Sequence, residues 1–282
     1  MPDENNAHFL TLYVLKKDML KRILIPEPQK ALRFFRRMLD RVDSLSFPKV
    51  CGRCGDVFDD GLSNILCRKC FDAIPAYDDP ICRHCGIGLP PRAFEGSGEP
   101  HCSDCGGEDY FLDACRAFGP YEGSLRLAHH AFKFEGMEHL GGVLGSRAAS
   151  LASRFEGIEA LVPVPVRPER ERERGYHPAW VLALEISKIT GYPVGEYLRK
   201  VLPTKPQVDL DKKERLRNLW GAFEYVGPRK PNKRVLLVDD VYTTGGTLEE
   251  CAETLKSSGV AWVGAVVLGR TPHHSSREPG GS

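Results

Sequence analysis

Eight of the ten cysteines in this chain fall in four Cys-x-x-Cys pairs, and an acidic pair, Asp239-Asp240, stands just ahead of the run Thr243-Thr244-Gly245-Gly246-Thr247. Both patterns carry residue types and spacings that can do chemistry. Cys51 and Cys54 are followed after twelve residues by Cys67 and Cys70, and Cys82 and Cys85 are followed after sixteen by Cys102 and Cys105. A Cys-x-x-Cys turn presents two thiolates to one tetrahedral ion. Two such turns close the shell at about 2.3 Å per bond, so each block has the arithmetic of a four-cysteine zinc ribbon. Spacing alone leaves open which pairs share an ion. All eight positions read as closed-shell thiolates, which favours a structural metal over a catalytic one. No βα context surrounds any pair, which argues against a redox role.

Gly55, Gly86 and Gly106 follow the second cysteine of three pairs, where a left-handed backbone turns N–H groups toward sulfur. Arg53, Arg68, Lys69 and Arg83 lie inside the knuckles and are expected to offset the charge of four thiolates on one zinc. Cys115 and Cys251 fall outside the pattern and are expected in the core.

The second pattern is continuous. The apolar run Val235-Leu236-Leu237-Val238 leads into Asp239-Asp240-Val241-Tyr242, then into the Thr/Gly turn, and a helix starts at once. Thr247 with Glu250 three residues on reads as a capping box. Strand, turn and helix N-terminus make an anion site, because backbone N–H groups and hydroxyls converge at the positive end of the helix dipole. A phosphate monoester suits it. The lysine of the G-x-x-x-x-G-K-[ST] loop is missing, and G-x-G-x-x-G is absent too. Carboxylates at that strand edge can accept hydrogen bonds from ribose hydroxyls, or hold Mg2+ indirectly, close to a bound 5′-phosphate.

The elements that must position these residues alternate. Helices are expected over Ser124 to Phe134, Met137 to Phe155, Pro178 to Thr190 with Gly191 past its end, and Thr247 to Ser258 with Gly259 past its end. Strands are expected over Ala160 to Val166, Pro193 to Leu202, Arg234 to Val241 and Ala261 to Leu268, which implies parallel pairing with crossover helices. An amphipathic helix is expected between Pro28 and Leu45, and Leu89 to Pro100 suits an exposed loop.

With 282 residues the chain can bury an α/β core beside a smaller module. Lys and Arg total 39 against 38 for Asp and Glu, so any nucleic-acid contact must be local. The run Phe9 to Leu15 is too short to span a bilayer and no cleavage site follows it, so a cytoplasmic protein is expected.

Val235 to Thr247 resembles the signature of type I phosphoribosyltransferases, and the chain from about Phe47 to Gly269 resembles the ComF family. That family joins a zinc module to a phosphoribosyltransferase-like domain and is associated with DNA uptake and use in bacteria. Leu161-Val162-Pro163-Val164-Pro165 with Arg167, Arg170 and Arg174-Gly175-Tyr176 is similar to the family's diphosphate-side loop. Pro206-Gln207, Glu214-Arg215, Asn218 and Ala222-Phe223 resemble its hood. Tyr121-Glu122-Gly123 with Lys133-Phe134 resembles the start of its first helical pair. The family's usual Arg-Gly-Phe-Asn-Gln is here Arg174-Gly175-Tyr176-His177-Pro178, which removes two amides; Pro178 suits a first helical position.

The resemblance implies an α/β fold, a type I phosphoribosyltransferase-like parallel sheet with flanking helices, preceded by a small cysteine-rich zinc-ribbon module. The expected organisation is an N-terminal segment over 1–46, a double zinc ribbon over 47–110, the phosphoribosyltransferase-like domain over 111–270 and a disordered tail over 271–282. It further implies phosphoribosyl diphosphate with Mg2+ as ligand, two structural Zn2+, and single-stranded DNA or a DNA-uptake helicase as partner. By the match, Thr243, Thr244, Gly245, Gly246 and Thr247 hold the 5′-phosphate, Asp239 and Asp240 the ribose diol and metal environment, and Val166, Arg167 and Arg174 the diphosphate side.

Arg170 and Arg172 read equally well as a solvated helix face. Lys212, Lys213, Arg215 and Arg217 read as an exposed helix or as a phosphate or single-stranded DNA contact. His129, His130 and His177, with no partner visible in sequence, are expected to be structural. Three classes stay open: a phosphoribosyltransferase, a DNA-uptake factor, and a regulator that senses the sugar diphosphate.

Overall fold

A computed structural model of the chain describes residues 49–59, 65–90, 100–106, 110–201 and 221–272. The expected helix at Pro28 to Leu45, most of the loop between Leu89 and Pro100, the basic cluster Lys212 to Arg217 and nearly all of the tail lie outside the described residues. Among the described residues, no helix is long and apolar enough to cross a membrane.

The described elements run α1 (Arg68–Asp72), β1 (Ala114–Pro120), α2 (Gly123–Phe134), α3 (Leu140–Ala152), β2 (Ala160–Pro163), α4 (Pro168–Arg174), α5 (Pro178–Thr190), β3 (Leu198–Lys200), β4 (Phe223–Tyr225), β5 (Arg234–Tyr242), α6 (Gly246–Ser257) and β6 (Trp262–Arg270). Four strands form one sheet in the order β1-β6-β5-β2, every neighbouring pair parallel. Burial on both faces explains why Val235 to Val238 is a continuous apolar run. Leu236 and Val238 of β5 pack toward α2, α3 and α5, while Val235 and Leu237 pack toward α6. Helices α3 and α5 approach closely through small residues: a Cβ on Gly141 would stand 2.4 Å from Val181 Cγ1, and one on Gly145 would stand 2.4 Å from Glu185 Cβ.

The segment Pro193 to Leu202 departs from expectation. Pro193 and Gly195 flank β2 through Leu161 N to Pro193 O (2.7 Å) and Gly195 N to Leu161 O (2.9 Å), and the chain then leaves the sheet. Among the described residues of this segment, only Leu198–Lys200 is a strand, paired antiparallel to β4 in a separate two-stranded sheet. A proline and a glycine two residues apart make poor material for a sheet interior. Strand β1 carries no alternation in Ala-Cys-Arg-Ala-Phe-Gly-Pro and was not foreseen. It is an edge strand, so Pro120 at its end costs no interior ladder bond.

The cysteine module lies against this edge. Tyr77 N donates to Phe118 O (2.7 Å) and Cys115 N to Arg83 O (2.8 Å), which covers polar groups that an edge strand would leave open. Cys51 and Cys67 join the apolar cluster of α2 and α3, whereas Cys82, Cys85, Cys102 and Cys105 join the cluster of α6 on the other face.

Candidate functional site

The cysteines gather as Cys51, Cys54, Cys67 and Cys70 and as Cys82, Cys85, Cys102 and Cys105, with the sulfur atoms of each group within 4.8 Å of one another. This settles the pairing that spacing left open. A tetrahedron with 2.3 Å bonds has edges of about 3.8 Å. Cys54 Sγ and Cys67 Sγ are 3.9 Å apart, and Cys85 Sγ and Cys102 Sγ are 3.7 Å apart. Cys67 N points at Cys51 Sγ (3.5 Å) and Cys70 N at Cys67 Sγ (3.4 Å), as expected for thiolate acceptors. Both groups are free thiols that fit zinc and could hold one ion each.

Gly55 and Gly86 take the left-handed backbone at φ 79° and 72°, but Gly106 does not. The short turn after Cys105 closes instead through Gly106 N to Cys102 O (3.1 Å). Two of the four knuckle cations make hydrogen bonds away from sulfur: Arg68 Nε donates to Asp72 (2.9 Å) and Arg83 Nε to Asp113 O (3.2 Å). Arg270 supplies a cation to the second group. Burial opposes its charge, yet Cys85, Tyr242 and Cys105 hold it above the usual arginine value. Cys115 and Cys251 are fully buried core residues, as expected.

The Thr/Gly turn sits at the C-terminal edge of the sheet, between β5 and α6. Thr243 and Thr244 are exposed, and Gly245 is the N-cap of α6 at φ 84°. A Cβ on Gly245 would meet the Tyr242 hydroxyl at 2.2 Å, so both conformation and space require glycine there. The capping box expected of Thr247 and Glu250 does not form: no side chain caps α6, and Glu250 Oε1 accepts from Ala222 N (2.6 Å). Glu250 is buried and faces the chain that returns into β4, so it cannot reach back to its own helix start. The first N–H groups of α6 carry no side-chain cap in consequence.

Burial pushes Glu250 up to about 7, and its Oε2 has no hydrogen-bond partner. A carboxyl raised on folding carries a penalty that grows as pH climbs from the unfolded value, about 4.3, to the folded one. Glu250→Gln should therefore nearly match the wild type in stability at pH 4 and exceed it by about 1–3 kcal/mol at pH 8. Urea unfolding at the two pH values measures this.

The two aspartates occupy opposite faces of β5. Asp240 is buried and faces α2, where His129 Nε2 lies 2.9 Å from its Oδ2 and Lys133 Nζ makes a short contact to the same oxygen. His129 Nδ1 meets the Tyr121 hydroxyl at 2.7 Å. In a neutral ring this network assigns the proton to Nε2, donating to Asp240, with Tyr121 donating to Nδ1. Burial would raise Asp240, but the hydrogen bond from His129 and the charge of Lys133 outweigh it and hold the carboxyl well below its usual range. Asp239 accepts from Asp240 N (2.8 Å) through Oδ1, and burial together with the neighbouring Asp240 charge pushes it up. One carboxylate is thus tied into the protein, and the other gains from an added donor or cation.

Val166 and Arg167 lie in the turn between β2 and α4, next to the end of β5, because β2 pairs with β5 up to Pro163 and Val238. Helix α4 buries no residue; Arg170 pairs with Glu173 (3.6 Å) and Arg172 with Glu169 (3.2 Å), which is the solvated-face reading. The Arg174 guanidinium lies 5.2 Å from the ring centroid of exposed Phe134, at the end of α2 that carries Lys133. His177 caps α5 by accepting from Trp180 N at Nδ1 (3.3 Å), with Pro178 as the first helical residue. The departure at His177-Pro178 thus keeps a side-chain cap.

His129 was expected to be structural but without its partner Asp240, Lys133 was named only within the resemblance, and neither Tyr242 nor Arg270 was given a role in the site. The signal for the first two was present, since His129 and Lys133 are four apart and His129 shares the buried face with Leu125 and Phe132. A polar pair on such a face marks a buried partner.

A phosphoribosyl transferase domain model matches residues 191–279. Competence protein F of Haemophilus influenzae is 32% identical over 206 residues, which cover 70% of this chain and 86% of that protein. The chain belongs to the ComF family. DNA utilization protein YhgH of Escherichia coli K12 is 31% identical over 214 residues (73% of this chain, 90% of that protein). Competence protein ComFC of Bacillus subtilis is 27% identical over 204 residues (70% and 80%). ComF membership and the parallel sheet agree with the phosphoribosyltransferase-like fold read from the Asp-Asp and Thr/Gly motif.

Proposed function

We propose that this ComF protein binds phosphoribosyl diphosphate at the C-terminal edge of its sheet, in the cytoplasm. The observation that carries the reading is the N-terminus of α6, which no side chain caps, with Gly245 left-handed, beside a raised Asp239 near the end of the preceding strand β5. The turn Thr243–Thr247 takes the 5′-phosphate through backbone N–H groups and hydroxyls. Asp239 accepts from the ribose diol, and Asp240 is positioned by His129 and Lys133 rather than by substrate. Val166, Arg167 and Arg174 face the diphosphate. A raised carboxyl such as Asp239 would suit the neighbourhood of Mg2+ carried with the ligand, which would supply charge neutralisation on the diphosphate. As the C1–oxygen bond to diphosphate breaks, a nitrogen nucleophile bonds to C1 from the opposite face, and the chain contributes positioning and electrostatics.

Calorimetric titration with phosphoribosyl diphosphate and Mg2+ tests the site. Asp239→Asn should weaken binding by about tenfold or more, the value of one lost charged hydrogen bond. Saturable binding that ignores this change, or no binding by the wild type, would refute the reading. Release of labelled diphosphate with a panel of bases separates a transferase from a sensor.

The relatives' names favour a second reading in which DNA is the partner. Salt-dependent binding of single-stranded DNA, weakened by Lys212→Ala and Lys213→Ala, would support it.

A further inference from the structure

The second cysteine group and the phosphate turn are joined by one side chain. Tyr242, the last residue of β5, is buried, and its hydroxyl lies 3.2 Å from His84 Nε2. His84 sits inside the knuckle between Cys82 and Cys85, stacked on Tyr110 at 3.5 Å between ring centroids. On its other side the same hydroxyl lies under Gly245, where a Cβ would stand only 2.2 Å away. Arg270, which ends β6 opposite Tyr242 in register, places its guanidinium 4.7 Å from the Tyr242 ring and donates from Nη1 to Thr243 O (2.9 Å). Glu249 in the first turn of α6 accepts from Phe111 N (2.8 Å) and Leu112 N (3.3 Å), in the segment that leaves the cysteine group.

We propose that Tyr242 is a positioning residue that makes the conformation of the phosphate turn depend on the filling of the Cys82–Cys85–Cys102–Cys105 group. Four thiolates on one ion fix the knuckle, and the knuckle fixes His84. His84 gives the buried Tyr242 hydroxyl its partner. With that partner in place the phenol supports Gly245 in its left-handed conformation, and the N–H groups of Gly246, Thr247 and Leu248 converge. When the metal leaves, the knuckle relaxes, the hydroxyl loses its partner, and the cradle opens. Anion binding at the sheet edge is then conditional on a metal on the far side of Tyr242. This rests on the phosphate reading for its consequence but not for its geometry.

Hydrogen exchange of the amides in 243–248 is the test, with those of 235–238 in β5 as the internal reference. In zinc-loaded protein, Tyr242→Phe should speed exchange in the turn by about tenfold and leave β5 unchanged, because it removes the buried hydrogen bond to His84 and keeps a ring; His84→Phe should do at least as much, because it also removes the contact of His84 Nε2 to Glu249 Oε1 (3.3 Å) in the first turn of α6. Removing metal from the wild type should speed the same amides together with those of β5, because the ion also holds the apolar cluster that β5 shares with the cysteine group. Turn exchange that is identical in the wild type and both variants at full zinc occupancy would overturn the proposal, whatever metal removal does to the rest of the chain. Ribose 5-phosphate is then titrated into the same samples, and binding about tenfold weaker in Tyr242→Phe is expected. If no sample binds ribose 5-phosphate while the turn still responds, the phosphate reading fails and the strut stands.

Discussion

Chelation is expected to remove two equivalents of zinc from this protein in two separate phases, and the second phase is expected to take the tertiary structure with it. The two groups differ in cover. Cys54 is exposed and Cys70 half-buried, whereas Cys82, Cys85, Cys102 and Cys105 are all buried. A chelator reaches the first ion directly and the second only through local opening. The second group also belongs to the apolar cluster shared by β2, β5, β6 and α6. Losing the ion there leaves four thiols clustered at the centre of that cluster, in place of an interaction worth about 10–16 kcal/mol in isolated zinc modules. An indicator-dye assay of released zinc, run beside near-ultraviolet circular dichroism, follows both steps. Cys54→Ser should shorten the fast phase and keep the near-ultraviolet signal; Cys82→Ser should abolish that signal. Release in one phase, or full retention of tertiary signal after both ions leave, would contradict this account.

How much of this was legible follows from where each signal resides. Cysteine ligands are chosen by chain-local turns, so the two blocks could be counted from spacing, and the structure gathers the same eight residues. The β5 to α6 turn was legible because strand, glycine pair and helix are contiguous. The capping box failed for a long-range reason: Glu250 is claimed by Ala222 N, a contact no local pattern reports. Edge strand β1 escaped because its residues show no period-two alternation and its identity as a strand comes from pairing with β6 and from the cysteine module that covers its free side. Pro193 to Leu202 misled because apolar content outweighed the breakers Pro193 and Gly195. The network around Asp240 joins residues more than a hundred positions apart, at His129 and Lys133. Sequence offered only their shared helical face.

That network yields the other large effect, through Lys133→Met. The substitution keeps most of the apolar stem and removes the ammonium, so Asp240 is left buried with His129 as its remaining side-chain donor. Breaking a buried pair by removing one partner costs about 3–5 kcal/mol, and the surviving hydrogen bond from His129 trims this to about 2–4 kcal/mol. Asp240→Asn in the same background should recover part of the loss, because an amide needs no counter-charge. The sign with pH is fixed by the depressed carboxyl. Its contribution is complete above the unfolded value, about 3.9, and disappears as pH falls through the folded one. The gap between wild type and Lys133→Met should thus be full at pH 7 and narrow below about pH 4. Denaturant unfolding at both pH values decides it; a gap under about 1 kcal/mol at pH 7, or one that does not narrow in acid, would mean that Lys133 is a solvated cation and that His129 alone fixes Asp240.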